Sequence, residues 1–513
     1  MNPQLVAAFA VLPEYLAWHV LLSVSALALG LVISLPLAVA AARSPRLRWP
    51  SLAFASLIQT IPSLALLALF YPLLLAVSAL SEAVLGRGFS ALGFLPSLLA
   101  LTLYSVLPIL RNGVTGLTGV DPAIAEAADG VGMTPSQKLF QVELPLAAPV
   151  IMAGVRTAAV WTIGAATLAT PVGQTSLGNY IFAGLQTENW VSVLFGCAAS
   201  AVLALSADQL LGLAETGARK RRRGLVILGL AGLIVGAAVA MAPLALARGP
   251  VNYVVGAKNF SEQYILAELM AGELAQTGAR VTRKENLGST VAYRALAAGE
   301  IDVYVDYSGT LWTNVLGRAD NPGRKAVLDG LTTELRRRDG VVVLGSLGFE
   351  NAYAFAMRAD RAKALGVASL DDLARAAPGL TLGTDVEFLS RPEWKAVERA
   401  YGLRFRGSRS FQPTFMYRAL GTGEADVISA FSSDGRISAD KLAVLADPRG
   451  AIPPYDAVVL VSPKRAGDRR LLDALRPLVG SISVEAMRAA NYSVDRDIDK
   501  LTPEDAARGL RRP

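Results

Sequence analysis

Six near-continuous apolar runs, residues 20–42, 51–79, 91–110, 146–169, 190–213 and 224–247, leave the first half of this chain few ways to fold. Each is long enough to cross a bilayer as a helix. Hydrocarbon offers backbone N–H and C=O groups no partner but one another, so unbroken apolar runs of this length read as spanning helices. Small residues and prolines within them (Pro36, Pro62, Gly154, Gly164, Gly196) suit close packing and kinks. From about residue 249 the composition changes, and Asp, Glu, Lys and Arg are spread throughout. The chain therefore reads as a membrane half followed by a soluble half, with room for several domains.

The same composition closes off several classes of function. Cys197 is the only cysteine and His19 the only histidine. Neither a disulfide framework nor a thiolate or histidine metal site is available. His19 flanks the first span and reads as an interfacial residue rather than a catalytic one. The net charge of +7 would suit nucleic acid, but the basic residues cluster beside the spans, where topology explains them better. Ser432 and Ser433 lie beside Asp434, yet the second half holds no histidine to activate a serine. No G-x-x-x-x-G-K-[ST] phosphate loop occurs, so this chain is not expected to hydrolyse ATP itself. It reads as a protein with no catalytic constellation, metal or cofactor.

Between the third and fourth runs lies a polar stretch, residues 126–145, EAADGVGMTPSQKLFQVELP. It reads as a short helix around Glu126, Ala127 and Ala128, a break at Gly130 and Gly132, and a second helix capped by Thr134. Gln137, three residues on, completes a capping-box spacing, and Pro145 closes the segment. The pattern resembles the E-A-A, three residues, G, nine residues, I-x-L-P signature of bacterial ATP-binding-cassette importer permeases. Glu126, Ala127, Ala128, Gly132, Leu144 and Pro145 fall on it, and Val142 is the one conservative departure. The resemblance implies a cytoplasmic coupling helix that docks on a separate ATPase subunit.

If that segment is cytoplasmic, alternation makes the connection with Arg43, Arg46 and Arg48 cytoplasmic too, as well as Arg219, Lys220, Arg221, Arg222 and Arg223. The 170–189 connection is then external, and it contains no Lys or Arg. Charge bias and motif agree on one topology, with the N-terminus and everything after residue 248 outside. Gln59-Thr60-Ile61-Pro62-Ser63-Leu64 and residues 173–185 resemble stretches of importers for glycine betaine, choline and carnitine. Gln59 and Thr60 either line a path or bond neighbouring helices. The sixth run reads as an uncleaved tether. RKRRR before it and Ala245-Leu246-Ala247 at its end also fit a signal peptide cut after Ala247.

After Val251, short apolar runs alternate with helical patterns. VNYVVGA, IDVYVDY, VVVLG and AYAFAMR read as strands; FSEQYILAELMAGELAQ reads as an amphipathic helix and VAYRALAAGE as another. Such alternation argues for open, largely parallel α/β sheets, which bind ligands beyond the carboxyl ends of their strands. About 265 residues suffice for two lobes, with the chain crossing near 350 and returning near 455. The architecture expected is an all-α polytopic membrane domain (binding-protein-dependent permease, MetI-like), then an α/β two-lobed type II periplasmic binding protein domain. The limits expected are 1–218 for the permease, 219–248 for the sixth helix and 249–513 for the binding domain. Within the last, lobe 1 is 249–350 with 456–513 and lobe 2 is 351–455.

A quaternary ammonium donates no hydrogen bond, so proteins hold it between aromatic faces, each worth roughly 0.5–2 kcal/mol. A betaine also carries a carboxylate, which wants Arg, Lys or hydroxyl donors. Candidates for both jobs stand near strand ends: residues 256–263, 306–310, 351–353, Arg391, 430–436 and 453–457. In order and spacing these resemble the S-K-x-F-x-E-Q, E-Y-T-G-T, N-x-Y, Y-S-T-D-G-R and P-Y-D-A segments of binding proteins for glycine betaine, proline betaine, choline and carnitine. The resemblance implies an aromatic cage of Tyr307, Tyr353, Phe431 and Tyr455. It implies Lys258, Thr310 and Arg391 on the carboxylate or other polar end, and Asn351 lining the pocket. Phe431 stands where the family usually has Tyr and lacks that hydroxyl.

The function expected is the permease and binding component of an ATP-driven importer for such zwitterions or cations, embedded in the cytoplasmic membrane. One permease domain per chain implies a homodimer, with two separate ATPases. Ergothioneine, a betaine bearing an imidazole thione, is an alternative cargo. A membrane-anchored solute sensor is a second class of function, but a sensor needs no ATPase-docking segment.

Overall fold

The computed structural model describes residues 3–86, 88–246, 253–318, 320–385, 388–411, 413–496 and 498–511. They form two compact units: residues up to 182 with 191–246, and residues 253–511 with the short stretch 183–190. Ala247, the last residue of the A-x-A triplet, and Val251 lie outside the described residues.

The first unit is helical: α1 (Pro3–Arg43), α2 (Pro45–Thr60), α3 (Ser63–Leu85), α4 (Phe94–Thr118), α5 (Pro122–Gly130), α6 (Pro135–Lys138), α7 (Leu144–Ala166), α8 (Gly178–Gln186), α9 (Trp190–Arg219) and α10 (Arg223–Leu246). Among the described residues, six helical stretches are long and apolar enough to cross a membrane. Two of the expected spans are built differently. The first begins at Pro3 rather than residue 20 and runs for 41 residues, through Pro13 and Pro36. That is about 60 Å of helix, roughly twice the hydrocarbon thickness. The second, 51–79, is two helices. Pro62 has no N–H to give and forces extended backbone on the residue before it, and Ile61 sits at ψ 126°. Tyr104 Oη donates to the Ile61 carbonyl at this break. Gln59 Nε2 donates to the Tyr104 carbonyl (3.2 Å) and Thr60 Oγ1 to Leu57 (2.7 Å), so both polar groups bond helix backbone.

α4 is sandwiched between α1 and α7. Leu107 and Leu110 pack on Ala38 and Ala41, and Ile109 packs on Ala147, Ile151 and Val155. A side chain at Gly154 would put a Cβ 2.6 Å from Asn112 Cβ, and one at Gly196 equally close to Tyr180 Cβ; Gly164 faces open space and serves no such contact. His19 is not interfacial. It is fully buried within α1, with Nε2 3.0 Å from the Ile163 carbonyl and Nδ1 accepting from the Leu177 N–H at 3.3 Å. It pins the start of the 173–185 stretch.

Among its described residues the second unit holds two five-stranded sheets. Its strands are β1 (Tyr253–Lys258), β2 (Val281–Leu287), β3 (Val303–Tyr307), β4 (Val342–Glu350), β5 (Tyr353–Arg358), β6 (Thr381–Asp385), β7 (Gly407–Phe411), β8 (Val427–Phe431), β9 (Leu442–Val444) and β10 (Asp456–Val461). The orders are β2-β1-β3-β10-β4 and β7-β6-β8-β5-β9. The sheets are mixed rather than largely parallel. β10 runs against β3 and β4, and β5 against β8 and β9. Each is the first strand laid down after the chain passes from one sheet to the other. The helix expected to be amphipathic, α11 (Ser261–Gln276), is buried on almost every face. Strands β1–β3 cover one side of it, and helices Val484–Asp495 and Pro503–Leu510 cover the other.

This topology places the expected ligand residues at strand ends. Lys258 closes β1 and Tyr307 closes β3, while Tyr455 precedes β10, which runs the other way. In the second sheet, register pairs Tyr353 at the start of β5 with Phe431 at the end of β8.

Candidate functional site

All eight residues expected at the ligand site, Lys258, Tyr307, Thr310, Asn351, Tyr353, Arg391, Phe431 and Tyr455, line one cavity of about 380 Å³. The Tyr353 ring lies 5.2 Å from Phe431 and 6.1 Å from Tyr455, the latter edge-on at 87°. Tyr307 stacks on Phe260 at 6.1 Å. A Cβ on Gly309 would sit 2.6 Å from the Tyr455 ring, so the glycine of Tyr307-Ser308-Gly309-Thr310 makes room for that aromatic. Tyr307 and Tyr455 are almost wholly buried, whereas Tyr353 and Phe431 are part-exposed.

Buried carboxylates hold this frame, and sequence reasoning assigned none of them a role. Glu262, on α11, accepts from Tyr307 Oη (2.5 Å), Asn491 Nδ2 (2.9 Å) and Asn351 Nδ2 (3.2 Å). Burial pushes its carboxyl up, against the pull of these donors. Burial and the neighbouring Glu262 likewise push the Tyr307 phenol well above its ordinary value. Glu393 accepts from Tyr455 Oη and from the Arg391 fork. Burial pushes the Glu393 carboxyl up, but the Arg391 guanidinium overrides it and holds it below the usual carboxylate range. The signal was adjacency: Glu262 lies in the motif that supplies Lys258, and Glu393 follows Arg391 by two.

The expected cations are already engaged. Lys258 Nζ is 2.5 Å from Asp306 Oδ1, both side chains almost wholly buried, and 4.8 Å from the Tyr307 ring centre. The Arg391 guanidinium lies 5.3 Å from the Tyr353 ring centre. Their charges are matched by Asp306 and Glu393, so both brace aromatic rings whatever they do for a ligand.

The 126–145 stretch is a second candidate site. Asp121 caps α5 by accepting from Ala123 N–H (2.9 Å). Gly132 then adopts φ +80°, and Thr134 and Gln137 form the capping box. Lys138 Nζ reaches Asp129 at 2.6 Å. Pro145 does not close the segment. A π turn at Leu139–Glu143 carries α6 straight into α7 and absorbs the hydrogen bond that Pro145 cannot donate. Glu126, Ala127, Gly132 and Pro145 are exposed, Leu144 is half-buried and Ala128 is buried. Val131 and Phe140 are also largely exposed. Glu143, not singled out in the sequence, is buried and pairs with Arg43 at the end of α1.

Residues 251–510, more than half of the chain, match the family of substrate-binding domains of ABC-type glycine betaine transport systems. Residues 30–220 match the binding-protein-dependent transport system inner membrane component. The chain belongs to the glycine betaine-type ABC importers, as a permease fused to its binding domain. This importer chain is similar to the choline transport system permease protein of Bacillus subtilis, at 41% identity over 38% of the chain and 83% of that protein. It is also similar to the ergothioneine transport permease/ergothioneine binding protein of Helicobacter pylori, at 28% identity over 88% of the chain and 81% of that protein. A solved glycine betaine/carnitine/choline ABC transporter structure is 28% identical, covering 50% of the chain and 96% of that structure, with a TM-score of 0.46. The importer is thus a multi-pass inner-membrane protein. Membership implies a small-molecule cargo and an ATP-binding partner.

Proposed function

We propose that this importer takes up quaternary ammonium compounds (glycine betaine, choline, carnitine, proline betaine) as osmoprotectants. One observation carries the reading: Tyr307, Tyr353, Phe431 and Tyr455 line a single cavity. Aromatic faces are what a cation without hydrogen-bond donors requires. Tyr307, Tyr353, Phe431 and Tyr455 enclose the ammonium. Lys258, Thr310 and Arg391 serve the polar end, with the charges of Lys258 and Arg391 shared with Asp306 and Glu393, and Asn351 lines the pocket.

The permease is 1–218, the sixth helix 219–248 and the binding domain 249–513, with its lobes divided at 350 and 455. Six spans return the chain to the face on which it began, which supports an external binding domain. The lobes close on the cargo outside, and ATP hydrolysis happens in a separate subunit docked on residues 126–145. Glu126, Ala127, Ala128, Gly132, Leu144 and Pro145 belong to that docking segment. Nucleotide binding there switches the permease between outward and inward forms. Two chains make one pore.

Ergothioneine is the second reading. The Helicobacter pylori relative shares the fused order across 88% of this chain. The cavity wall also carries Glu262, Asp385, Asp434 and Asp495, acceptors suited to ring N–H groups that glycine betaine lacks. Calorimetric titration of the solubilised full chain with glycine betaine, choline, carnitine and ergothioneine tests both. Tight binding of one of them, lost in Tyr353→Ala, supports the cage and names the cargo. No binding of any would overturn it.

A further inference from the structure

α7 and α9 are joined by a charge cluster within the membrane-spanning part of the permease. Arg156 of α7 forks onto Asp208 of α9 through Nε and Nη2, the latter at 2.7 Å, while Nη1 reaches Glu215 at 3.4 Å. Asp208, Gly212 and Glu215 stand at i, i+4 and i+7, on one face of α9. Gly212 completes the seat: a Cβ there would lie 3.1 Å from Arg156 Nη1. Arg156 is roughly 18 Å along α7 from Leu144, and Asp208 is roughly 16 Å along α9 from Arg219. Both therefore lie within the expected spans 146–169 and 190–213, Asp208 toward the cytoplasmic end of the second. Charges within a span are costly, and those that persist are paired and tied to function.

The connection runs to the coupling segment in unbroken helix. α6, the π turn and α7 form one continuous helical rod from Pro135 to Ala166. The rod is held at its lower end by Arg43 on Glu143 and about 20 Å further along by Arg156 on Asp208. A tilt imposed on the lower end is delivered to whatever Arg156 grips. Separating the fork within a span would leave unpaired charges in hydrocarbon, so α9 follows α7.

We propose that Arg156 is a positioning residue that transmits movement of the coupling segment to α9. This rests on residues 126–145 docking an ATPase. Cys197, the single cysteine, lies exposed on α9 and supplies the reporter. The full chain with its ATPase partner, in liposomes, is labelled at Cys197 with an environment-sensitive fluorophore and given ATP and vanadate. The wild type is expected to show a nucleotide-driven signal, reduced at least fivefold in Arg156→Ala, Asp208→Asn and Gly212→Leu. The exchange Arg156→Asp with Asp208→Arg is expected to restore most of it, together with any thermal midpoint that the single variants lose. If Arg156→Ala does not assemble, Arg156→Lys keeps the charge, loses the fork and is expected to show the same loss. A full signal in the single variants, no signal in the wild type, or a lowered midpoint without rescue by the exchange would each overturn the proposal. None of these readouts involves cargo, so failure of the quaternary ammonium reading appears separately, in the titration.

Discussion

Arg391 forks on Glu393, with Nη2 2.9 Å from one carboxylate oxygen and Nε 3.1 Å from the other. The pair is buried and also receives the Tyr455 hydroxyl. Removing one partner leaves an uncompensated charge, so Arg391→Ala is expected to destabilise the binding domain by about 3–5 kcal/mol. Replacing both, as Arg391→Met with Glu393→Leu, is expected to cost much less. Chemical unfolding of the three chains checks this. A loss in Arg391→Ala no larger than in the double variant would show that the pair is not a structural unit.

Tyr353 is the aromatic best placed to report on the cage, since it is part-exposed and touches both Phe431 and Tyr455. A desolvated cation–π contact contributes about 2 kcal/mol, or roughly thirtyfold in affinity. Tyr353→Ala is expected to weaken binding of the cargo by at least tenfold, whereas Tyr353→Phe keeps the face and stays within about threefold. Titration calorimetry separates the two. Equal losses would mean that the hydroxyl, not the ring, holds the ligand.

Much of this site was legible because the chain repeats one device: an aromatic at a strand end, followed or preceded by small and polar residues. Tyr307, Tyr353, Phe431 and Tyr455 all stand there, and the fold brings them together. Glu262 and Glu393 were not legible as supports, since nothing in an isolated glutamate announces that it will be buried under a tyrosine hydroxyl. Lys258 read as a residue for the polar end of the ligand without its counter-charge, because Asp306, which neutralises it, lies 48 residues away. In the permease the apolar runs located the helices but not their breaks. Ile61–Pro62 sits inside an apolar run that composition alone joins, while Pro145 looked like a stop and the π turn makes it continuous. The antiparallel direction of β5 and β10 was not legible because it depends on where the chain changes sheets, not on their own residues.

Two buried acids give the binding domain a defined pH response. Burial, opposed by Arg436, pushes Asp495 up to about 6, and burial, opposed by Arg283, pushes Glu268 up to about 7. Both keep their protons to a higher pH when folded than when unfolded. The folded state therefore gains as pH falls from about 7 toward 4, and each acid carries its full cost above its folded value. The effect is on the order of 3 kcal/mol for each acid. The unfolding midpoint of the binding domain is expected to rise as pH falls from 8 to 5, and Asp495→Asn is expected to flatten that rise below pH 6 while stabilising the domain at pH 8. A midpoint that falls over this interval would mean that other groups dominate.

The coupling segment presents apolar side chains where a soluble surface would not. Val131, before the turn at Gly132, and Phe140, in the π turn beyond α6, are 75% and 65% exposed. On the proposed docking of an ATPase to residues 126–145, these are apolar groups that the ATPase would cover. Phe140→Asp and Glu126→Ala are expected to abolish uptake of labelled choline, or of whichever cargo the titration identifies, without changing its affinity for the chain. Gly132→Ala tests the turn itself. An alanine held at φ +80° costs about 1–2 kcal/mol, which displaces the docking surface without removing any of its side chains. Its uptake is expected to fall between wild type and Phe140→Asp. Uptake that survives all three substitutions would show that nucleotide energy enters this permease elsewhere.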